Sequence, residues 1–134
     1  MITREADYCI RTILYLAKPE NRGRPVPATE LSESMFIPYR FLRKITTRLV
    51  SAGLLQSRRG RSGGLSLKKK PEEITLLEVL QQTDSKGIIL NSCLNSARKD
   101  CCPREKICTV HDEIEKLQSI LENRLHEISF DHLI

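Results

Sequence analysis

Between Ser34 and Pro71 the chain contains no aspartate or glutamate, yet it carries Arg40, Arg43, Lys44, Arg48, Arg58, Arg59, Arg61, Lys68, Lys69 and Lys70. Inside that span Phe41, Leu42, Ile45 and Leu49 recur at helical spacing. The turn-forming run Arg58-Arg59-Gly60-Arg61-Ser62-Gly63-Gly64 follows shortly after. An amphipathic helix feeding a glycine-rich hairpin on an acid-free background narrows the fold to those that present such a face to a polyanion.

The flanking pattern narrows it further. Residues 3–17 read as a helix, with Thr3 as N-cap, Ile10, Ile13, Leu14 and Ala17 on one stripe, and Pro19 beyond the end. Asn21-Arg22-Gly23-Arg24-Pro25 is a turn cluster, and Pro27 suits the first turn of a short second helix carrying Leu31 and Met35. The third helix is expected from about Pro38 to Ala52, closed by Gly53. Its buried face is Phe41, Leu42, Ile45 and Leu49. Arg40, Arg43, Lys44 and Thr47 project from the opposite side, with Arg48 between the two. Strands are expected at Leu54–Ser57 and Leu65–Leu67, and a fourth helix from about Thr75 to Gln82.

Three helices and a hairpin in this order describe a mainly α fold, the winged helix-turn-helix. In it the third helix enters the major groove of DNA and the wing reaches neighbouring phosphates or the minor groove. Phosphate neutralisation supplies most non-specific affinity. Tyr39, Arg40, Arg43, Lys44 and Arg48 on the helix, and Arg58, Arg59, Gly60, Arg61, Ser62 and Gly63 on the wing, are the candidate DNA-contacting residues.

Downstream, Val110, Ile114, Leu117, Leu121, Leu125 and Ile128 mark a long helix with one apolar stripe. A domain this small is not expected to bury the whole stripe. A homodimer would cover it, and would offer two reading heads to a palindromic double-stranded site. The tail, ending in Phe130, Leu133 and Ile134, is expected to fold back on the body. The expected divisions are 1–83 for DNA binding, 84–108 for a cysteine-rich loop and 109–134 for the dimerisation helix and tail.

With 134 residues and a net charge of +5, the distribution of charge matters more than its total. The apolar run Ile13–Ala17 is too short to span a bilayer and Glu5 and Asp7 precede it, so no membrane partner and a cytoplasmic location are expected. There is no Gly-rich nucleotide loop, no Cys-x-x-Cys and no helix with paired histidines, so an enzyme is not expected.

Four of the five cysteines, Cys93, Cys101, Cys102 and Cys108, fall in one irregular stretch followed by His111. In a reducing compartment such thiols read as ligands or redox groups rather than disulfides. Clustered thiolates suit zinc or iron–sulfur centres. The absence of a tight Cys-x2-4-Cys pair favours the bulkier iron–sulfur cluster, with structural zinc and a thiol–disulfide switch as the alternatives. Cys9, on the first helix, reads as a small buried apolar residue.

Three landmarks resemble the Rrf-two family of winged-helix regulators. They are the start from Thr3 through Asp7-Tyr8 to Arg11, the stretch from Ile37-Pro38-Tyr39 to the wing, and the cysteine loop before a long helix. The resemblance covers essentially the whole chain. It implies a homodimeric transcription regulator, usually a repressor, whose operator binding follows an iron–sulfur cluster responding to nitric oxide, iron or redox state. It also implies Cys93, Cys102 and Cys108 as cluster ligands, since the family separates its last two cysteines by five residues, as Cys102 and Cys108 are. The gap of eight residues from Cys93 to Cys102 is longer than in most members, which leaves Cys101 as an alternate. For the fourth ligand, NsrR-like members imply Asp7 and a [4Fe–4S] cluster. IscR-like members imply His111 and a [2Fe–2S] cluster. The wing and the Cys102-Pro103 step resemble the former, so Asp7 and [4Fe–4S] are favoured.

Overall fold

The computed structural model describes residues 2–83, 88–94, 102, 104 and 107–134. It contains α1 (Arg4–Ala17), α2 (Ala28–Ser34), α3 (Tyr39–Ser51), β1 (Leu55–Arg58), β2 (Gly64–Leu67), α4 (Leu76–Gln81) and α5 (His111–Glu127). Short 3-10 turns lie at Pro19–Asn21, Pro71–Glu73, Ser92–Leu94 and Phe130–Leu133. This is the winged helix-turn-helix expected from the pattern, with boundaries moved by a residue or two.

Local chemistry accounts for most of these limits. The Thr3 hydroxyl accepts from Ala6 N at 3.2 Å, and Thr75 does the same for Glu78 N at 3.2 Å. Pro27 and Pro38 stand at the N-caps of α2 and α3, one position before the first helical residue. Arg22 returns to the end of α1 and donates from Nε to Ala17 O at 3.0 Å, satisfying a terminal carbonyl.

The two strands pair antiparallel with Leu55 opposite Leu67 and Arg58 opposite Gly64. Val26 adds a bridge to the wing: Val26 N donates to Leu65 O and Leu65 N to Val26 O, both at 2.8 Å. That closeness explains Gly64, whose φ is +154° and where a Cβ would fall 2.5 Å from Val26 O. At Gly63 a Cβ would fall 2.2 Å from Arg58 O. The wing therefore needs both glycines for backbone approach, not for looseness.

The main core joins Ile13 and Leu16 of α1, Leu31 of α2, Leu42, Ile45 and Leu49 of α3, and Leu54, Leu55 and Leu65 around the wing. Phe130, from the tail, is wholly buried among them. Phe130 N donates to Ile74 O at 3.0 Å and Leu76 N to Ile128 O at 2.8 Å, so the end of the chain is stitched to the start of α4. The tail folds back as expected, although Leu133 and Ile134 stay exposed. Truncation of a buried phenylalanine such as Phe130 to alanine costs about 3–5 kcal/mol.

A second small cluster gathers Ala6 of α1, Leu80 of α4 and Leu125 of α5, with Ile88 and Leu121 against it. The stripe on α5 is thus divided. Its C-terminal part, Leu121 and Leu125, packs on its own chain. Val110 and Leu117 of the stripe, with Ile120 nearby, remain exposed.

Candidate DNA interface and thiol cluster

The α3 face carries its charges as the helical spacing predicts. Tyr39, Arg40, Arg43 and Lys44 are exposed, while Leu42, Ile45 and Leu49 are buried. The Arg40 guanidinium lies over the Phe41 ring at 4.7 Å, and Phe41 is tilted against Tyr8 of α1 with centroids 6.0 Å apart. Phe41 is only half-buried, because it serves as the platform between the core and this arginine. On the wing, Arg58, Arg59, Gly60, Arg61 and Ser62 are exposed. A turn in which Gly63 N donates to Gly60 O at 3.0 Å brings the chain back. Helix and wing therefore both present exposed cationic side chains of the kind that neutralise phosphates.

Two of the bases are held by an acid that sequence spacing does not reveal. Glu5 of α1 pairs with Lys44 Nζ at 2.5 Å and with Arg48 Nη1 at 3.0 Å. Arg48 also donates to Thr83 O at 3.3 Å. The hydrogen bond from Lys44 is the main cause that holds the Glu5 carboxyl below the usual glutamate range. Partial burial opposes it, and the charges of Lys44 and Arg48 reinforce it. This cross-link fastens the first turn of α1 to the middle of the recognition helix.

Asp7, two residues on, forms an i,i+4 ion pair with Arg11 at 2.6 Å and is half exposed. Cys9 lies buried on the inner face of α1, and burial pushes its thiol pKa up to about 12. It is a core residue and not a reactive thiol.

Cys93 sits in the 3-10 turn Ser92–Leu94; Cys93, Cys102 and Cys108 are half-buried free thiols. His111 opens α5, and its backbone N–H donates to Cys108 O at 3.2 Å, setting the last thiol one turn ahead of the helix. Cys101 lies outside the described residues. The described donor types, soft sulfurs with a histidine three positions after the last, fit an iron–sulfur or zinc centre chemically. Among the described residues of one chain, no three His, Cys, Asp or Glu side chains group closely enough to hold a metal ion, so Asp7 forms no such group with the cysteines.

One further residue organises this region. Gln118 of α5 is buried; its Oε1 accepts from Leu90 N at 2.9 Å and its Nε2 donates to Ile88 O at 2.6 Å. The amide also reaches Glu122 Oε1 at 2.7 Å. A buried glutamine that satisfies a backbone N–H and a backbone C=O of the irregular segment 88–90 anchors the approach to Cys93 on α5. Neither Glu5 nor the hold of Gln118 on Ile88 and Leu90 has a local sequence signal, since these partners lie 28 to 43 residues away. Among the described residues, no helix is long and apolar enough to cross a membrane.

Comparison with known proteins agrees with this construction. A family model described as "Rrf2: Iron-dependent Transcriptional regulator" matches residues 2–134. The HTH-type transcriptional regulator NsrR of Shouchella clausii is 36% identical over 101 residues, which is 75% of this chain and 66% of that protein. In fold, the chain is similar to IscR of T. potens, with a TM-score of 0.73, 21% identity and coverage of 99% of this chain and 85% of that one. It is similar too to CymR, the global cysteine regulator of B. subtilis, with a TM-score of 0.70, 19% identity and coverage of 99% and 95%. The relatives are transcriptional regulators and not enzymes. With the helix-turn-helix, the glycine-shaped wing and the thiol-bearing segment before α5 all in place, the chain belongs to the Rrf2 family of DNA-binding transcriptional regulators.

Proposed function

We propose that the protein is a cytoplasmic repressor that binds a palindromic operator as a homodimer, and that an iron–sulfur cluster controls this binding. The observation that carries the reading is the set of three half-buried free thiols, Cys93, Cys102 and Cys108, leading into α5. The iron dependence stated for the matching family supports it. Cys93, Cys102 and Cys108 are the proposed ligands, with Asp7 of the second copy as the fourth; Cys101 and His111 are the alternates. A [4Fe–4S] cluster is favoured over [2Fe–2S]. When bound, it supplies an iron site with a weak oxygen ligand, open to nitric oxide, oxygen or iron loss.

This chain's own residues carry the consequence to DNA. Asp7 and Glu5 share the first turn of α1, and Glu5 grips Lys44 and Arg48 of α3. A pull on α1 at Asp7 therefore reaches the recognition helix directly. Because the spacing of two half-sites is a geometric requirement, a small rotation of α3 in each subunit changes specific affinity. The exposed Leu117 and Ile120 on α5 supply an apolar surface for the second copy.

Anaerobic purification followed by native mass spectrometry tests the reading. The expected result is a brown dimer with iron and sulfide in cluster proportion. A colourless protein with stoichiometric zinc, or one that cycles between thiol and disulfide without iron, would replace the cluster by the corresponding thiol device.

A further inference from the structure

Helices α2 and α3 end in the same hydrogen-bonded form. At the end of α3, Leu54 N donates to Leu49 O and Gly53 N to Val50 O, both at 3.0 Å, with Gly53 at φ +75°. At the end of α2, Ile37 N donates to Ser32 O at 3.0 Å and Phe36 N to Glu33 O at 3.4 Å, with Phe36 at φ +54°. Both are Schellman caps, whose left-handed position favours glycine because any Cβ is crowded there. Among the described residues, Phe36 is the one non-glycine residue with positive φ. For a bulky side chain that conformation is a true outlier.

The surroundings impose it. The Ser32 hydroxyl donates to Ile37 O at 2.6 Å, Arg11 Nη1 donates to Met35 O at 3.3 Å, and Ile37 is locked in the core. Yet the Phe36 ring gains little from the fold, being 85% exposed. Burial does not offset the strain, and the same chain uses glycine in the equivalent cap of α3. A residue that breaks a local rule without a packing return marks a site where function holds it.

Its position says which function. Phe36 lies in the turn of the helix-turn-helix, three residues before α3 opens at Tyr39, which is itself 48% exposed. The N-terminal residues of a recognition helix are the ones that meet base edges. In the major groove the apolar feature is the thymine 5-methyl group, which aromatic and methyl-bearing side chains read by contact. We propose that Phe36 is a specificity-determining residue that packs its ring on a thymine methyl in each half-site. The proposal rests on α3 and the wing being the DNA-binding surface.

The test starts by selecting a duplex from a random-sequence library with the anaerobically purified full-length dimer. Each thymine of the selected duplex is then replaced in turn by deoxyuridine, which removes only the methyl. Wild type is expected to lose about 5–10-fold in affinity at one thymine per half-site. Phe36→Gly is expected to lose that preference while keeping the salt dependence set by the bases, and to unfold about 4 °C higher because strain is relieved. Phe36→Leu, which keeps an apolar tip, should retain part of the preference. Wild type indifferent to every methyl, or Phe36→Gly with its methyl preference intact, overturns the role of Phe36 and leaves the DNA-binding surface standing. A wild-type dimer that retains no duplex overturns both.

Discussion

Glu5 Oε2 lies 3.0 Å from Arg48 Nη1, although the two residues are 43 positions apart in the chain. Lys44 closes on the other carboxylate oxygen, so one acid on α1 restrains two bases on the recognition helix. The contact is half exposed, and its worth to stability is set by geometry and screening more than by Coulomb attraction in the open.

Glu5→Gln should therefore lower stability by less than about 1 kcal/mol. It should also release Lys44 and Arg48 toward phosphate, raising non-specific DNA affinity and steepening its salt dependence by up to about one ion per freed base. Because the folded carboxyl is held below its ordinary value of 4.5, its stabilising contribution is fully present above that pH and fades as pH falls through the folded value. Acid titration of unfolding midpoints should show a smaller loss for Glu5→Gln than for wild type.

Asp7→Ala removes an exposed helix acid and its pair with Arg11, so it should leave the fold within about 0.5 kcal/mol of wild type. Under the proposed function it should change the visible spectrum of the anaerobic protein and blunt the response of operator binding to nitric oxide. An unchanged spectrum together with an unchanged response would remove Asp7 from the cluster.

Gln118→Leu keeps the volume but leaves Leu90 N and Ile88 O without their partners. A loss of about 1–3 kcal/mol is expected, concentrated locally. In the cluster-free protein, hydrogen exchange at Leu90 and alkylation at Cys93 should both accelerate, while exchange in α3 stays as it was.

Leu117→Glu with Ile120→Glu places charge on two side chains that are 55% and 64% exposed in the single chain. Helix content should persist. If this surface holds the second copy, sedimentation should report half the wild-type mass; a dimer of unchanged mass would assign the interface elsewhere.

Alkylation of the folded, cluster-free protein at mildly alkaline pH should label Cys93, Cys102 and Cys108 and spare Cys9, whose thiol is pushed up to about 12 by burial. Labelling of Cys9 before global unfolding would mean that α1 opens independently of the core.

The helices, the hairpin and the cationic face were legible in the sequence because each rests on short-range rules. Thr3 and Thr75 cap within one turn, Leu42, Ile45 and Leu49 follow the helix period, and Gly63 is demanded by a tight hairpin. The proposed cysteine ligands come only from the family resemblance, since spacing alone admits zinc, a cluster or free thiols.

Long-range closure decided the rest. Local periodicity could mark the stripe on α5, but only packing against Ala6 and Leu80 divided it into a part packed on its own chain at Leu121 and Leu125 and an exposed part at Leu117. Charge pattern could mark Lys44 and Arg48 as bases, but not that Glu5 would hold them. Sequence placed Phe36 next to a helix boundary; the left-handed backbone that turns its ring to solvent came from Ile37 being locked in the core and Ser32 and Arg11 bonding around it. Propensity and capping act over one or two turns and can be read along the chain. Burial and ion pairing join residues tens of positions apart, and those partners exist only once the chain has closed on itself.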